Sequence, residues 1–137
     1  MSKPFVVTKI INFCYGHRLL NYDGKCKHLH GHNGKIEMDI ATNKLDARGM
    51  AYDFSDIKKM VKNWIDTTLD HRMLLNKEDP ICVFLKEQGE PIFLMNGNPT
   101  AENIAKLIFE EAKKMNLPVE EIRLWESPDS YATYRGE

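Results

Sequence analysis

The stretch Gly24-Lys25-Cys26-Lys27-His28-Leu29-His30-Gly31-His32-Asn33 concentrates side chains that bind metals or move protons. It holds one of the three cysteines and three of the five histidines, and His17 stands upstream in Phe13-Cys14-Tyr15-Gly16-His17-Arg18-Leu19. On a strand, His30 and His32 share a face with their Cα atoms about 6.6 Å apart, so two imidazoles can converge on one ion. His17, at the end of a neighbouring strand, is the candidate third ligand. Three neutral imidazoles suit Zn2+, which takes three protein ligands plus water or substrate when catalytic. Other divalent ions are compatible with the same donors in vitro. Two alternatives stay open from the residues alone: hydrogen-bonded histidines without a metal, or a closed structural site completed by Cys26. His28 has the opposite parity and reads as a bystander or a phosphate contact.

A second set could move protons. Cys26 lies between Lys25 and Lys27, whose charges favour the thiolate, and a thiolate can act as a general base. Asp70-His71 pairs a carboxylate with an imidazole, which can fix the tautomer and stabilise the cation. Solvated loop residues are the plain alternative for each. Glu126, four residues after Ile122 on one strand face, is a candidate carboxylate for a guanidine-like edge. Its alternative is a solvated strand end. Arg18, Lys25, Lys27 and His28 are phosphate candidates through charge. Cys14 and Cys82 sit among apolar residues and read as small buried fillers. Trp64 and Trp125 read as core.

These residues need elements to position them. Residues 5–14 are rich in β-formers without helical period and read as a first strand, and the turn formers of 16–29 read as a loop. From His30, strict alternation places His30, His32, Gly34, Ile36, Met38 and Ile40 on one face of a second strand, with a bulge possible at Gly34. Ser55 is the expected N-cap of a helix whose stripe is Ile57, Met60, Val61, Trp64, Ile65 and Leu69. Asp79-Pro80 could open a short helix through Leu85, ended by Gly89, and 91–95 a short strand. Thr100 is the expected N-cap of a second main helix, with Glu102 in its first turn and a stop at Asn116-Leu117-Pro118. Residues 121–126 and 130–134 read as a closing hairpin. The order ββααββ suggests α+β, an antiparallel sheet with helices on one face.

The 137 residues fit one domain, 1–137, able to bury a core without staples. Nineteen basic against twenty acidic residues, with no sustained basic stripe, argue against nucleic acid. Three cysteines without framework spacing suit a reducing compartment. The N-terminal apolar run is too short for a signal peptide and nothing approaches a membrane span, so cytoplasm is the expectation.

Taken together, the motifs resemble the 6-pyruvoyl tetrahydropterin synthase family. They are Phe13 to Leu19, Cys26-X-X-X-His30-Gly31-His32-Asn33, Gly49 to Phe54, Leu69-Asp70-His71, Asn98 to Asn103 and Trp125-Glu126. The three-residue gap between Cys26 and His30 and the ending Tyr134-Arg135-Gly136-Glu137 resemble its 6-carboxytetrahydropterin synthase branch, which serves queuosine biosynthesis. The resemblance implies the tunnelling fold, a four-stranded antiparallel sheet with two helices. It implies homo-oligomers, commonly trimers stacked as hexamers, with active sites at subunit interfaces. By position His17, His30 and His32 would bind zinc, while Cys26, Asp70 and His71 would handle protons. Glu126 would join that catalytic set and anchor the pterin's amino-pyrimidine edge, with Thr100 and Glu102 lining its pocket. The implied reaction converts 7,8-dihydroneopterin triphosphate to 6-carboxy-5,6,7,8-tetrahydropterin, releasing triphosphate and acetaldehyde. Elimination to a pyruvoyl product is the alternative within the family, and a non-catalytic zinc-stabilised binding protein is the alternative outside it. The sequence departs from the family pattern at Gly34, where an aromatic is usual, and at Tyr15-Gly16, where two small residues are usual. The 76–98 segment is also longer than in compact relatives.

Overall fold

The computed structural model describes residues 3–137. Met1 and Ser2, the start of the segment read as too short for a leader, lie outside the described residues. Strand β1 spans Phe5–His17 and β2 spans His30–Thr42, paired antiparallel without interruption from Phe5↔Thr42 to His17↔His30. The first strand therefore runs three residues beyond the expected 5–14, and this carries His17 onto the sheet. No bulge falls at Gly34; the register shift on β2 lies at Asp39/Ile40, against β5 (Val119–Ser127). Between β1 and β2 the chain makes a short 3-10 turn, Lys25–Lys27.

Helix α1 is continuous through Phe54–Ile57, a π-helical stretch Lys58–Lys62, and Asn63–Thr68. Its N-cap is Asp53 rather than Ser55: the Asp53 carboxylate accepts the Ser55 N–H at 2.8 Å. A carboxylate there also complements the helix dipole. Strand β3 (Arg72–Asn76), helix α2 (Ile81–Glu87) and strand β4 (Ile92–Met95) follow. Helix α3 (Ala101–Lys114) is capped by Thr100, whose hydroxyl accepts the Asn103 N–H, and β5 and β6 (Ser130–Tyr134) close the chain as a hairpin.

The sheet has six strands in the order β4-β3-β1-β2-β5-β6, not four, and its element order is ββαβαβαββ rather than ββααββ. The class α+β stands. The two added strands come from residues 72–95 and pair parallel, β3 on β1 and β4 on β3, so the sheet is mixed. Parallel neighbours need a crossover, which α1 and α2 supply. Leu74 and Leu75 are both buried, so β3 has no alternating signature to read.

Helices α1 and α3 cover one face, whereas α2, a third helix where two were expected, lies on the other: its Phe84 and Leu85 line a cavity with Gly16 and Met73, whose parity is opposite to that of Tyr15, His17 and Leu74. Ile57, Val61, Ile65 and Leu69 of α1, and Ile104, Ala105, Ile108 and Ala112 of α3, pack on Ile11, Phe13, Tyr15, Ile36, Met38, Ile40, Ile122 and Leu124. Both tryptophans stand outside the fully buried set; Trp64 packs at its margin, while Trp125 meets the Tyr131 ring at a tilt, centroids 4.4 Å apart. Cys82 is buried as expected, but Cys14 is exposed, because its parity on β1 is opposite to that of Phe13 and Tyr15.

Candidate metal centre and substrate pocket

The register of β1 and β2 builds the centre. His17 faces His30 and Tyr15 faces His32, so three imidazoles gather where the apolar face of the sheet ends. A one-residue slip of β2 would turn His30 and His32 to the other face, away from His17. Ligand atoms of His17, His30 and His32 lie within 4.8 Å of one another, and the ring centroids are 4.6 to 5.0 Å apart.

Backbone carbonyls orient the rings. His17 Nδ1–H donates to the Pro99 carbonyl at 2.6 Å, and His30 Nδ1–H donates to the His28 carbonyl at 2.7 Å. A carbonyl only accepts, so the proton sits on Nδ1 and each Nε2 carries a lone pair. The His30 Nε2 is buried without a partner, and the His17 and His32 Nε2 atoms stand 3.1 Å apart. Glu126 adds a carboxylate oxygen 3.6 Å from His17 Nε2 and 3.5 Å from His32 Nε2. Electron pairs converging on one point call for a cation. This donor set fits a zinc ion, with each imidazole held by a carbonyl as bound histidines are.

Burial pushes the His17 imidazole down to about 4, against the Pro99 hydrogen bond and helped by its two histidine neighbours. Burial lowers His32 as well, partly offset by the Glu126 charge. Both rings are therefore neutral at pH 7, the state that ligates a metal.

The carbonyl that holds His17 is itself anchored. The Asn98 side chain accepts the Leu20 N–H and donates to the Leu20 carbonyl, while the Asn98 carbonyl accepts from Asn103. Thus Asn98 ties the β1–β2 connection to the α3 N-terminus, Pro99 reaches His17, and Thr100 caps the helix. The Asn-Pro-Thr run of the sequence motif has a mechanical meaning that spacing alone could not reveal.

Glu126 shares the face of Ile122 and Leu124 on β5 and lines a cavity of about 370 Å³ with Ala101, Glu102 and residues of β6. Glu102 is exposed there, in the first turn of α3. The structure thus brings together His17, His30, His32, Glu126 and Glu102, with Thr100 at the cap beside them.

The remaining expected residues stand elsewhere. Cys26 is half-buried in the 3-10 turn and is not part of the converging group, so no closed Cys-His₃ site forms among the described residues. Asp70 Oδ1 accepts the Cys14 N–H, Asp70 Oδ2 accepts from His71 Nδ1 at 2.8 Å, and the His71 N–H donates to the Cys14 carbonyl. This dyad opens on a different cavity of about 470 Å³, lined by Gly16, Met73, Phe84 and Leu85 among others. Burial alone would raise the Asp70 carboxyl, but the Cys14 N–H and the His71 imidazole outweigh it and hold it below the usual carboxylate range. Arg18 is not free for phosphate: it forks onto buried Asp79, Nε to Oδ2 at 2.7 Å.

The two departures at 15 and 34 are one feature. A Cβ on Gly34 would lie 3.0 Å from the Tyr15 ring and 3.1 Å from that of Phe13. The two rings stack at 5.1 Å across the glycine, and Tyr15 also meets the rings of His17 and His32. The Tyr15 and Phe13 rings of the neighbouring strand fill the space that a side chain at 34 would take. Burial, with the Glu126 charge adding, holds the Tyr15 phenol well above its ordinary range.

Comparison with known proteins agrees with this architecture. The sequence profile described as 6-pyruvoyl tetrahydropterin synthase matches residues 6–137. A 6-carboxy-5,6,7,8-tetrahydropterin synthase of Rickettsia conorii is 38% identical over 131 residues, covering 90% of this chain and 95% of that protein. The Haemophilus influenzae protein of the same name is 34% identical over 139 residues, covering 96% and 99%. The solved structure of Caenorhabditis elegans 6-pyruvoyl tetrahydropterin synthase superposes with a TM-score of 0.74 at 27% identity, covering 100% of this chain and 99% of that one. The chain belongs to the 6-pyruvoyl tetrahydropterin synthase family of enzymes.

Proposed function

We propose that the protein is a zinc-dependent 6-carboxytetrahydropterin synthase acting in queuosine biosynthesis. It takes 7,8-dihydroneopterin triphosphate and one water to 6-carboxy-5,6,7,8-tetrahydropterin, triphosphate and acetaldehyde. The observation that carries the reading is the convergence of three imidazole Nε2 atoms beside Glu126, which itself lines a cavity. The names of the Rickettsia and Haemophilus relatives favour the carboxy product over the pyruvoyl one.

His17, His30 and His32 would hold the ion. Zinc, when bound, supplies Lewis acidity toward the hydroxyls and the developing carbonyl of the substrate side chain. Glu126 accepts the paired N–H donors of the amino-pyrimidine edge, a charge-assisted and direction-specific contact. Glu102 borders the same cavity, and Thr100 caps the helix that carries it. Cys26 takes a proton from the side chain as thiolate, and His71, its imidazole oriented by ionised Asp70, carries protons in and out. Within one chain the dyad opens on a cavity other than the one beside Glu126. In this reading it serves the triad of a neighbouring copy, so the working enzyme is a homo-oligomer with sites between subunits. Three cysteines without framework spacing support a reducing compartment, the cytoplasm, in this reading.

The test is incubation of the zinc-loaded protein with 7,8-dihydroneopterin triphosphate, with products followed by mass spectrometry. Carboxytetrahydropterin with acetaldehyde is expected. A pyruvoyl product would move the protein to the other branch, and unchanged substrate would end the reading.

A further inference from the structure

Two oxygen groups flank the triad in contrasting states. Tyr15 is 3% exposed, and its hydroxyl is buried with no hydrogen-bond partner. A buried donor left unpaired is costly and calls for an explanation. The Glu126 carboxylate is partly exposed and holds no hydrogen bond of normal length among the described residues. Its near neighbours are the Nε2 atoms of His17 and His32, at 3.6 and 3.5 Å. The His17 Nε2 offers only a lone pair, because its Nδ1–H already donates to Pro99. Tyr15 meets the same two imidazoles, at centroid distances of 5.3 and 5.6 Å. The same two imidazoles are therefore flanked by a buried hydroxyl without an acceptor and by a partly exposed carboxylate with room for one more donor.

We propose that Tyr15 is a positioning residue for Glu126: with a ligand in the site, its hydroxyl donates to the Glu126 carboxylate and fixes how that carboxylate meets the ligand's paired N–H groups. A carboxylate has about four lone-pair sites, so two can face the ligand while a third accepts the phenol. Gly34 is what admits the ring, since a Cβ there would press on it at 3.0 Å. The inference rests on the reading of Glu126 as the pterin anchor.

The experiment is a double-mutant cycle on the zinc-loaded, full-length protein with Tyr15→Phe, which keeps the ring, and Glu126→Gln. The readouts are the Kd for 7,8-dihydroneopterin by fluorescence, zinc content and Tm. Tyr15→Phe is expected to weaken binding about tenfold beside Glu126 and less than about twofold in the Glu126→Gln background, since a hydrogen bond to a charged group is lost only in the first. Zinc content should stay unchanged and Tm should not fall, because the lost group has no partner in the free chain. Equal weakening in both backgrounds, or none, overturns the role through Glu126. A fall in Tm or zinc content assigns Tyr15 to packing and overturns it too. A wild-type protein that binds no pterin removes the anchor reading itself, an outcome distinct from a cycle without coupling.

Discussion

His17 and His30 face each other in register across β1 and β2, and each gives its Nδ1–H to a backbone carbonyl, Pro99 for one and His28 for the other. The Nε2 atoms are thereby committed before any ion arrives. His32 supplies the third nitrogen, so His32→Ala should weaken zinc binding by at least about 100-fold, beyond what losing an outer-shell partner costs. Its ring is partly exposed, and the fold should survive. Zinc retained through dialysis against a graded series of chelators measures this. Wild-type retention by the variant would remove the triad as the metal centre.

Cys26 stands outside the converging nitrogens. Cys26→Ala should therefore keep full zinc content and the wild-type fold while turnover falls by about 100-fold or more, the usual contribution of a positioned base. Metal analysis and turnover on one sample separate the two roles. Loss of zinc on this substitution would revive the closed site.

The depressed His17 imidazole sets an acid window. Its folded value near 4 lies below the ordinary 6.5, so from pH 6.5 downward the unfolded chain binds a proton that the folded chain refuses. Stability of the zinc-free protein should be flat above pH 6.5 and fall toward pH 4, by on the order of 3 kcal/mol in all. His32 is lowered as well and adds in the same direction. Asp39, Asp70 and Asp79 are held below the ordinary carboxylate range, so the stability they contribute is lost at lower pH, beneath this window. Urea midpoints at pH 7.5 and 4.5, with His17→Gln as the flatter control, report the difference. Equal midpoints would sink the assignment.

Much of this site was legible in the sequence because β-strand parity is strict. Alternation from His30 to Ile40 put both histidines on the buried face, and spacing put Glu126 on the face of Ile122 and Leu124. The strand that escaped lacks such a period. Arg72–Asn76 buries two adjacent leucines and offers no alternation to read, whereas the short strand expected at 91–95 is present as Ile92–Met95 but lay outside the expected four-stranded sheet. The carbonyl of Pro99 and the bridging side chain of Asn98 escaped for a different reason: they act across 82 and 78 residues, through contacts that no local pattern encodes. Charge misled at Arg18, whose partner Asp79 lies 61 residues away.

Asp79 is buried, accepts both arms of the Arg18 guanidinium and also takes the Ile81 N–H that opens α2. Asp79→Asn leaves that cation beside a neutral amide and should cost about 2–4 kcal/mol of stability, because Arg18 keeps some solvent on its outer side. Zinc content should not change, since neither residue touches the triad. The measurement is urea unfolding alongside metal analysis; an undiminished midpoint would show the pair to be incidental.

Gly34 has an ordinary backbone conformation, so its requirement is one of space. A methyl there meets the Tyr15 and Phe13 rings at 3.0 and 3.1 Å, in a buried layer with little room to yield. Gly34→Ala should therefore destabilise by about 1–3 kcal/mol, the usual range for overpacking. The same substitution should cost much less once Tyr15→Ala has removed the ring, although Tyr15→Ala is itself destabilising. Four urea-unfolding curves give the coupling between the two sites. A cost for Gly34→Ala that is the same with and without the ring would mean that the glycine serves something other than Tyr15, and the paired origin of the two departures would fall.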